Sequence, residues 1–199
     1  MEFRLSYVGR LLATGNDSLK HPNPNKLEHI HVIRKEFHKQ LKHLWSTDAT
    51  LIDRVYPNGA FKNPDFDMDF SKEGFVWRPI ATSKNFLICA LDILMLRPGG
   101  PGGALSDIDN RLKTLFDALR MAQTPQEITK SDHTKLSPDT SENPFFVLLE
   151  DDKLITHLSV TTDRLLEEVP GVPEKEAVRI VISVKIRPYF SKFENLDFV

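Results

Sequence analysis

Cysteine is nearly absent: Cys89 stands alone in 199 residues, so the chain has no internal disulfide and no cysteine-based zinc site. A reducing, cytoplasmic home is the expectation. Long apolar runs are missing as well. The longest, Phe86 to Leu96, is interrupted by Asp92 and falls well short of the roughly 20 residues that a membrane-spanning helix needs. No basic segment leads into a continuous apolar core at Met1–Ser6, so no secretory signal is expected. Nor is there an excess of either charge: 26 Lys and Arg face 28 Asp and Glu, a net charge of −2 that gives no global attraction to nucleic acid or membrane. Any polyanion must be met by a local patch. Only nine glycines occur, four of them in Gly99–Gly103, and neither a following Lys-Ser/Thr nor a G-x-G-x-x-G is present, which removes a nucleotide cofactor from the expectations.

What is present, 40% apolar and 27% charged residues without internal repeats, is the composition of one globular domain over residues 1–199. Phe3 to Leu12 reads as a strand, and Thr14 to Asn25 as a loop. From Lys26 to Trp45, Ile30, Ile33, Phe37, Leu41 and Leu44 fall on one helical stripe, with Arg34, Lys35, His38, Lys39, Lys42 and His43 opposite. Gly74–Ile80 and Asn85–Arg97 read as strands, and about Asn110 to Ala122 as a second helix with Asp109 as its N-cap. Residues 123–144 are rich in Ser, Thr, Pro, Asp and Glu and predict a mobile polar insertion that buries little. Phe145–Leu149, Leu154–Val160 and the alternating Val178, Ile180, Ile182, Val184 and Ile186 complete a mixed α/β (α+β) order: β, α, β, β, α, β, β, β. The expected architecture is a mixed sheet with two main helices packed on it.

Chemistry concentrates in Asp107-Ile108-Asp109-Asn110, Lys113 and Asp151-Asp152. In extended chain, side chains at i and i+2 share a face, so Asp107 and Asp109 point together ahead of the helix, and Lys113 follows one turn later. Carboxylates gathered this way repel unless they surround a cation, and hard oxygen donors favour Mg²⁺ or Mn²⁺. Such an ion clamps a phosphate and activates water, while a nearby lysine offsets charge developing on phosphorus. Each piece also has an ordinary reading: Asp109 as a helix cap, Lys113 paired with Asp117, and Asp151-Asp152-Lys153 as a turn.

The stretch Asp107-Ile108-Asp109-Asn110-Arg111-Leu112-Lys113, followed by Phe116-Asp117-Ala118-Leu119 and later by Leu149-Glu150-Asp151-Asp152, resembles the RusA-type Holliday junction resolvases. The resemblance runs in element order over about residues 86–187. It implies a RusA-like α/β fold, a homodimer, and Mg²⁺-dependent hydrolysis of phosphodiester bonds in branched DNA. It implies Asp107, Asp109 and Asp152 as metal ligands and Lys113 as a catalytic residue. Asp151 and Glu150 are candidates for positions just outside the ligands. The family's connection between helix and strand is short, where this chain inserts residues 123–144.

Contacts to DNA are expected from Arg34, Lys35, Lys39 and Lys42 on the first helix and from Arg97 and Arg111 beside the motif; the same helix face also reads as a solvated surface. His29 and His31 diverge by about 200° on a helix, so they read as surface residues rather than zinc ligands. Asp92 either approaches the acidic residues or faces solvent. Two other functions stand beside the nuclease: a non-catalytic DNA-binding scaffold, and a metal-dependent hydrolase of another phosphate ester.

Overall fold

The computed structural model of the chain describes residues 1–13, 24–98, 108–130, 132 and 134–199. The expected loop at Thr14–Asn25 and the glycine-rich segment therefore lie largely outside the described residues, as does Asp107. The architecture is mixed α/β, with two sheets where the sequence suggested one. Strands β1 (Glu2–Arg10), β4 (Leu87–Arg97), β6 (Ile155–Arg164) and β7 (Ala177–Pro188) form the first sheet in the order β1-β7-β4-β6. The β1–β7 and β7–β4 pairs are antiparallel, whereas β4 and β6 run parallel. The second sheet joins β2 (Phe70–Lys72), β3 (Phe75–Ala81) and β5 (Phe145–Leu149), with β3 antiparallel to β2 and parallel to β5.

Period-two burial explains the large sheet. In β7, Val178, Ile180, Ile182, Val184 and Ile186 all point inward, matched in β4 by Leu87, Cys89, Leu91, Ile93 and Met95. That inner face packs on helix α1 (Pro24–Thr47), whose Ile30, Ile33, Phe37 and Leu41 form the predicted stripe, and on Leu115 and Leu119 of helix α3 (Ile108–Leu119). A short helix α2 (Ala49–Ile52) follows, with the Asp48 carboxylate capping Leu51. The small sheet has no alternation in β5 because both of its faces are covered, so every residue of Phe145–Leu149 is buried.

The second cover comes partly from residues 123–144. Ile128, Met121 and Ala122 pack with Phe75, Trp77, Phe145 and Val147 in a second cluster, and Leu136 leans on it. The expectation that this segment buries little is thus corrected: one isoleucine and one leucine suffice to seal a sheet face, and Glu127 and Glu142 are buried beside them.

Burial of a second side of α1 was also not expected. Arg34, placed by periodicity on the polar face, has 0% exposure and donates to the carbonyls of Asp117 and Arg120 and to Glu127 Oε2. Arg120 in turn binds both Asp117 and Glu127. His31 and His38 are buried as well, against Phe75, Phe145 and Phe146. His38 Nδ1 accepts the Phe146 N–H at 2.9 Å and so satisfies a donor on the free edge of β5. The surface assignment of His31 is therefore corrected, while His29 is half-buried and accepts the Leu12 N–H at 3.4 Å.

Candidate active site

The acidic motif is carried by two elements that the fold brings into contact. β4 and β6 are parallel neighbours with Cys89 opposite Ile155, so the turn Asp152–Leu154 that opens β6 lies at the end of the sheet where β4 begins. There it packs against α3, and Leu154 is buried in the main core, while Arg111, two residues after Asp109, holds the first turn of that helix toward the opposite end of the sheet. The Asp151 carboxylate caps this turn by accepting the Lys153 N–H at 3.0 Å. Glu150 accepts the Ser83 N–H at 2.7 Å, while its own N–H bonds Ala81 and its carbonyl takes the amide of Gln123. Both outer acids are thus engaged in holding backbone.

Asp109 and Asp152 differ from them. Both are exposed, and neither carboxylate has a hydrogen bond or ion pair among the described residues. Elsewhere the carboxylates close to these elements are taken up: Asp117 by Arg120, and Glu127 by Arg34 and Arg120. Lys113, exposed and without an ion-pair partner among the described residues, lies one turn beyond Asp109. The suggested pairing of Lys113 with Asp117 does not form, since Asp117 binds Arg120 instead. Asp109 is not the N-cap either: helix α3 begins at Ile108, which puts Asp109 inside the first turn, where a carboxylate interacts favourably with the helix dipole. Two open hard-oxygen donors suit Mg²⁺ or Mn²⁺ in type. Among the described residues no three His, Cys, Asp or Glu side chains gather closely enough to hold an ion, and Asp107, the third carboxylate of the motif, lies outside them.

The proposed DNA-contacting residues fare differently. Arg34 is enclosed and Arg97 is 8% exposed. Arg111, 7% exposed, donates to the carbonyls of Leu11 and Lys175, tying α3 to the end of β1 and to the turn before β7. These three are withdrawn as DNA contacts, Arg97 for its burial and the other two because sequence periodicity cannot distinguish a solvated arginine from one whose guanidinium satisfies backbone carbonyls. Lys35 pairs with Glu142 at 2.9 Å, Lys39 with Glu36 at 2.6 Å, and Lys42 donates to the Ser141 carbonyl, so the 139–142 turn sits on the face of α1 that was expected to be open. Asp92 lies mid-strand on the outer face of the large sheet, 3.8 Å from His157, and so belongs to the solvent side.

Sequence reasoning passed over two features. The Arg34–Glu127–Arg120 network joins residues 86 and 93 positions apart, and no local pattern announces it. An aromatic cluster of Phe86, Tyr189 and Phe190 stands at the same end of the sheet as Asp152, signalled only by the way the apolar alternation of β7 runs on into two adjacent aromatics past Pro188. A cavity of about 600 Å³ is lined by Asp53, Arg54, Phe61, Phe66, Phe193 and Asp197, among others, and includes none of the acidic motif. No described helix is long and apolar enough to cross a membrane. Compared with family models, curated proteins and solved structures, the chain matches none.

Proposed function

We propose that the protein is a Mg²⁺-dependent endonuclease acting on branched or structured DNA in the manner of the Holliday junction resolvases, with Asp107, Asp109 and Asp152 as metal ligands and Lys113 as the assisting cation. The observation that carries this reading is that the turn of Asp152 packs on the helix of Asp109 and Lys113, with both carboxylates exposed and unpaired among the described residues. Acids drawn onto one site would repel one another, and a cation would relieve that repulsion. Mg²⁺, or Mn²⁺ in its place, would supply polarisation of the scissile phosphate and a water of lowered pKa.

The chain's own residues do the remaining work. Lys113 offers its ammonium to the phosphate and offsets charge that accumulates as water attacks in line. Asp151 and Glu150 are positioning residues: the first fixes the turn that presents Asp152, and the second pins that turn to the Thr82–Phe86 loop through Ser83. A symmetric four-way junction calls for two such sites related by a twofold axis, and a homodimer is part of the proposal.

Cleavage of labelled four-way junction, flap and linear duplex DNA, with Mg²⁺ or EDTA, tests it on wild type and Asp109→Asn. Asp109 is exposed and its interaction with the helix end is worth about 0.3–1 kcal/mol, so the variant keeps its fold while losing an anionic ligand. Cutting by wild type alone, only with Mg²⁺ and best on branched DNA, is expected. A fully active Asp109→Asn protein would refute the ligand assignment, and junction binding without any cutting would make the protein a scaffold.

A further inference from the structure

Just past the last buried position of β7 the sequence reads Arg187-Pro188-Tyr189-Phe190-Ser191-Lys192. Tyr189 and Phe190 are 55% and 57% exposed. Single exposed apolar side chains are ordinary on a protein surface, but these two adjacent rings both lean on a third. Phe86 meets Tyr189 edge-on at 5.5 Å between centroids and Phe190 at the same separation, and the Lys192 ammonium sits 4.2 Å from the Phe86 ring centre. Phe86 holds this place with φ of +56°, a backbone region that bulky residues rarely adopt.

The cluster is rigidly built. Asn195, 1% exposed, donates through its amide to the Asn85 and Phe190 carbonyls and accepts the Lys192 N–H. The Tyr189 N–H bonds the Phe86 carbonyl. Two segments a hundred residues apart are thereby locked into one surface whose outer rings serve no core. Its rim is basic: Lys84, Arg187 and Lys192 are all exposed, and none has an ion-pair partner among the described residues. The surface joins the acidic turn through one hydrogen bond, from the Ser83 N–H to Glu150, the residue before Asp151-Asp152.

We infer that Tyr189 and Phe190, braced by Phe86 and rimmed by Lys84, Arg187 and Lys192, form a stacking platform for the unpaired bases of a nucleic-acid strand. Rigid rings with free faces stack on bases of any sequence, and neighbouring cations take the phosphates between them. In a blunt duplex the bases are stacked on one another and only the two end pairs have an open face, so the platform selects unpaired strand. Such a platform beside Asp152 would direct the proposed nuclease to DNA containing an unpaired segment; that consequence rests on the nuclease reading, whereas the binding itself does not.

The test is fluorescence anisotropy of labelled twenty-residue oligothymidylate in EDTA at low salt, where no cleavage occurs, with an oligouridylate of the same length and a blunt duplex as further arms. Tyr189→Ala/Phe190→Ala removes two exposed rings and leaves the core intact, and Phe86→Asn removes the brace with a residue that tolerates positive φ. The double variant is expected to lose about tenfold in affinity for each ring removed. Arg187→Ala/Lys192→Ala lowers the salt dependence instead. Tighter binding of either single strand than of the blunt duplex supports the platform. Wild-type affinity in the double variant, or equal binding of the blunt duplex, overturns the proposal. So does a double variant that dissociates a dimer in sedimentation while binding the oligonucleotide unchanged, because the rings then belong to a contact between copies. Loss of Mg²⁺-dependent cutting with platform binding retained would refute the nuclease reading alone.

Discussion

Acid should unfold this protein earlier than its carboxylates alone require, and His31 is the residue on which the effect can be measured. His31 is 3% exposed, stands against Phe75 and Phe145, and leaves Nδ1 without a hydrogen-bond partner. Burial, reinforced by the Arg34 and Lys35 charges, pushes its pKa down to about 3. In the unfolded chain the imidazole titrates near 6.5, so below that pH the unfolded state binds a proton that the folded state refuses. Stability is therefore fully present above about pH 6.5 and lost as the pH falls toward the folded value. At pH 7 about a quarter of the unfolded imidazole is charged and at pH 5 nearly all of it, which integrates to a loss of about 2 kcal/mol from this residue. Urea unfolding followed by the fluorescence of buried Trp45 and Trp77 reads that loss. His31→Leu removes the titrating group without orphaning a partner of Nδ1, so its stability should fall by about 2 kcal/mol less than that of wild type between pH 7 and pH 5. An identical fall in both proteins would refute the reasoning, whatever the stability of the variant at pH 7.

Glu127→Leu leaves the guanidiniums of Arg34 and Arg120 side by side without their shared carboxylate, one of them wholly buried, and should cost about 3–5 kcal/mol in the same unfolding assay. A cost below 1 kcal/mol would show that water reaches the network. Burial pushes the Cys89 thiol up to about 12, so an aromatic disulfide reagent should fail to label it in the native protein and label it stoichiometrically in denaturant.

Elements whose burial is periodic were legible in the chain itself. The α1 stripe of Ile30, Ile33, Phe37 and Leu41 and the β7 alternation from Val178 to Ile186 fall where the pattern put them, because one face of each meets the core and period alone decides which residues face it. The short strand β2 was missed, since three residues give no period to count. The candidate site was legible in part: Lys113 falls on a helix and Asp152 at the mouth of a strand, whereas Asp109, expected in extended chain ahead of the helix, lies inside its first turn. Its surroundings were not.

Local chemistry is what the sequence by itself determined: where the long helices and strands run, and which acids and lysines stand on them. The tertiary structure alone decided the fate of each charge. Arg34 and Lys39 read alike along a helix, yet one is enclosed by Glu127 and two carbonyls while the other is exposed and pairs with its helix neighbour Glu36, because the difference lies in an insertion more than ninety residues away. Phe86 and Tyr189 become one surface only because β4 and β7 pair in register at their ends. Contacts between distant residues depend on how sheets and helices close on one another, and no window of sequence contains that closure.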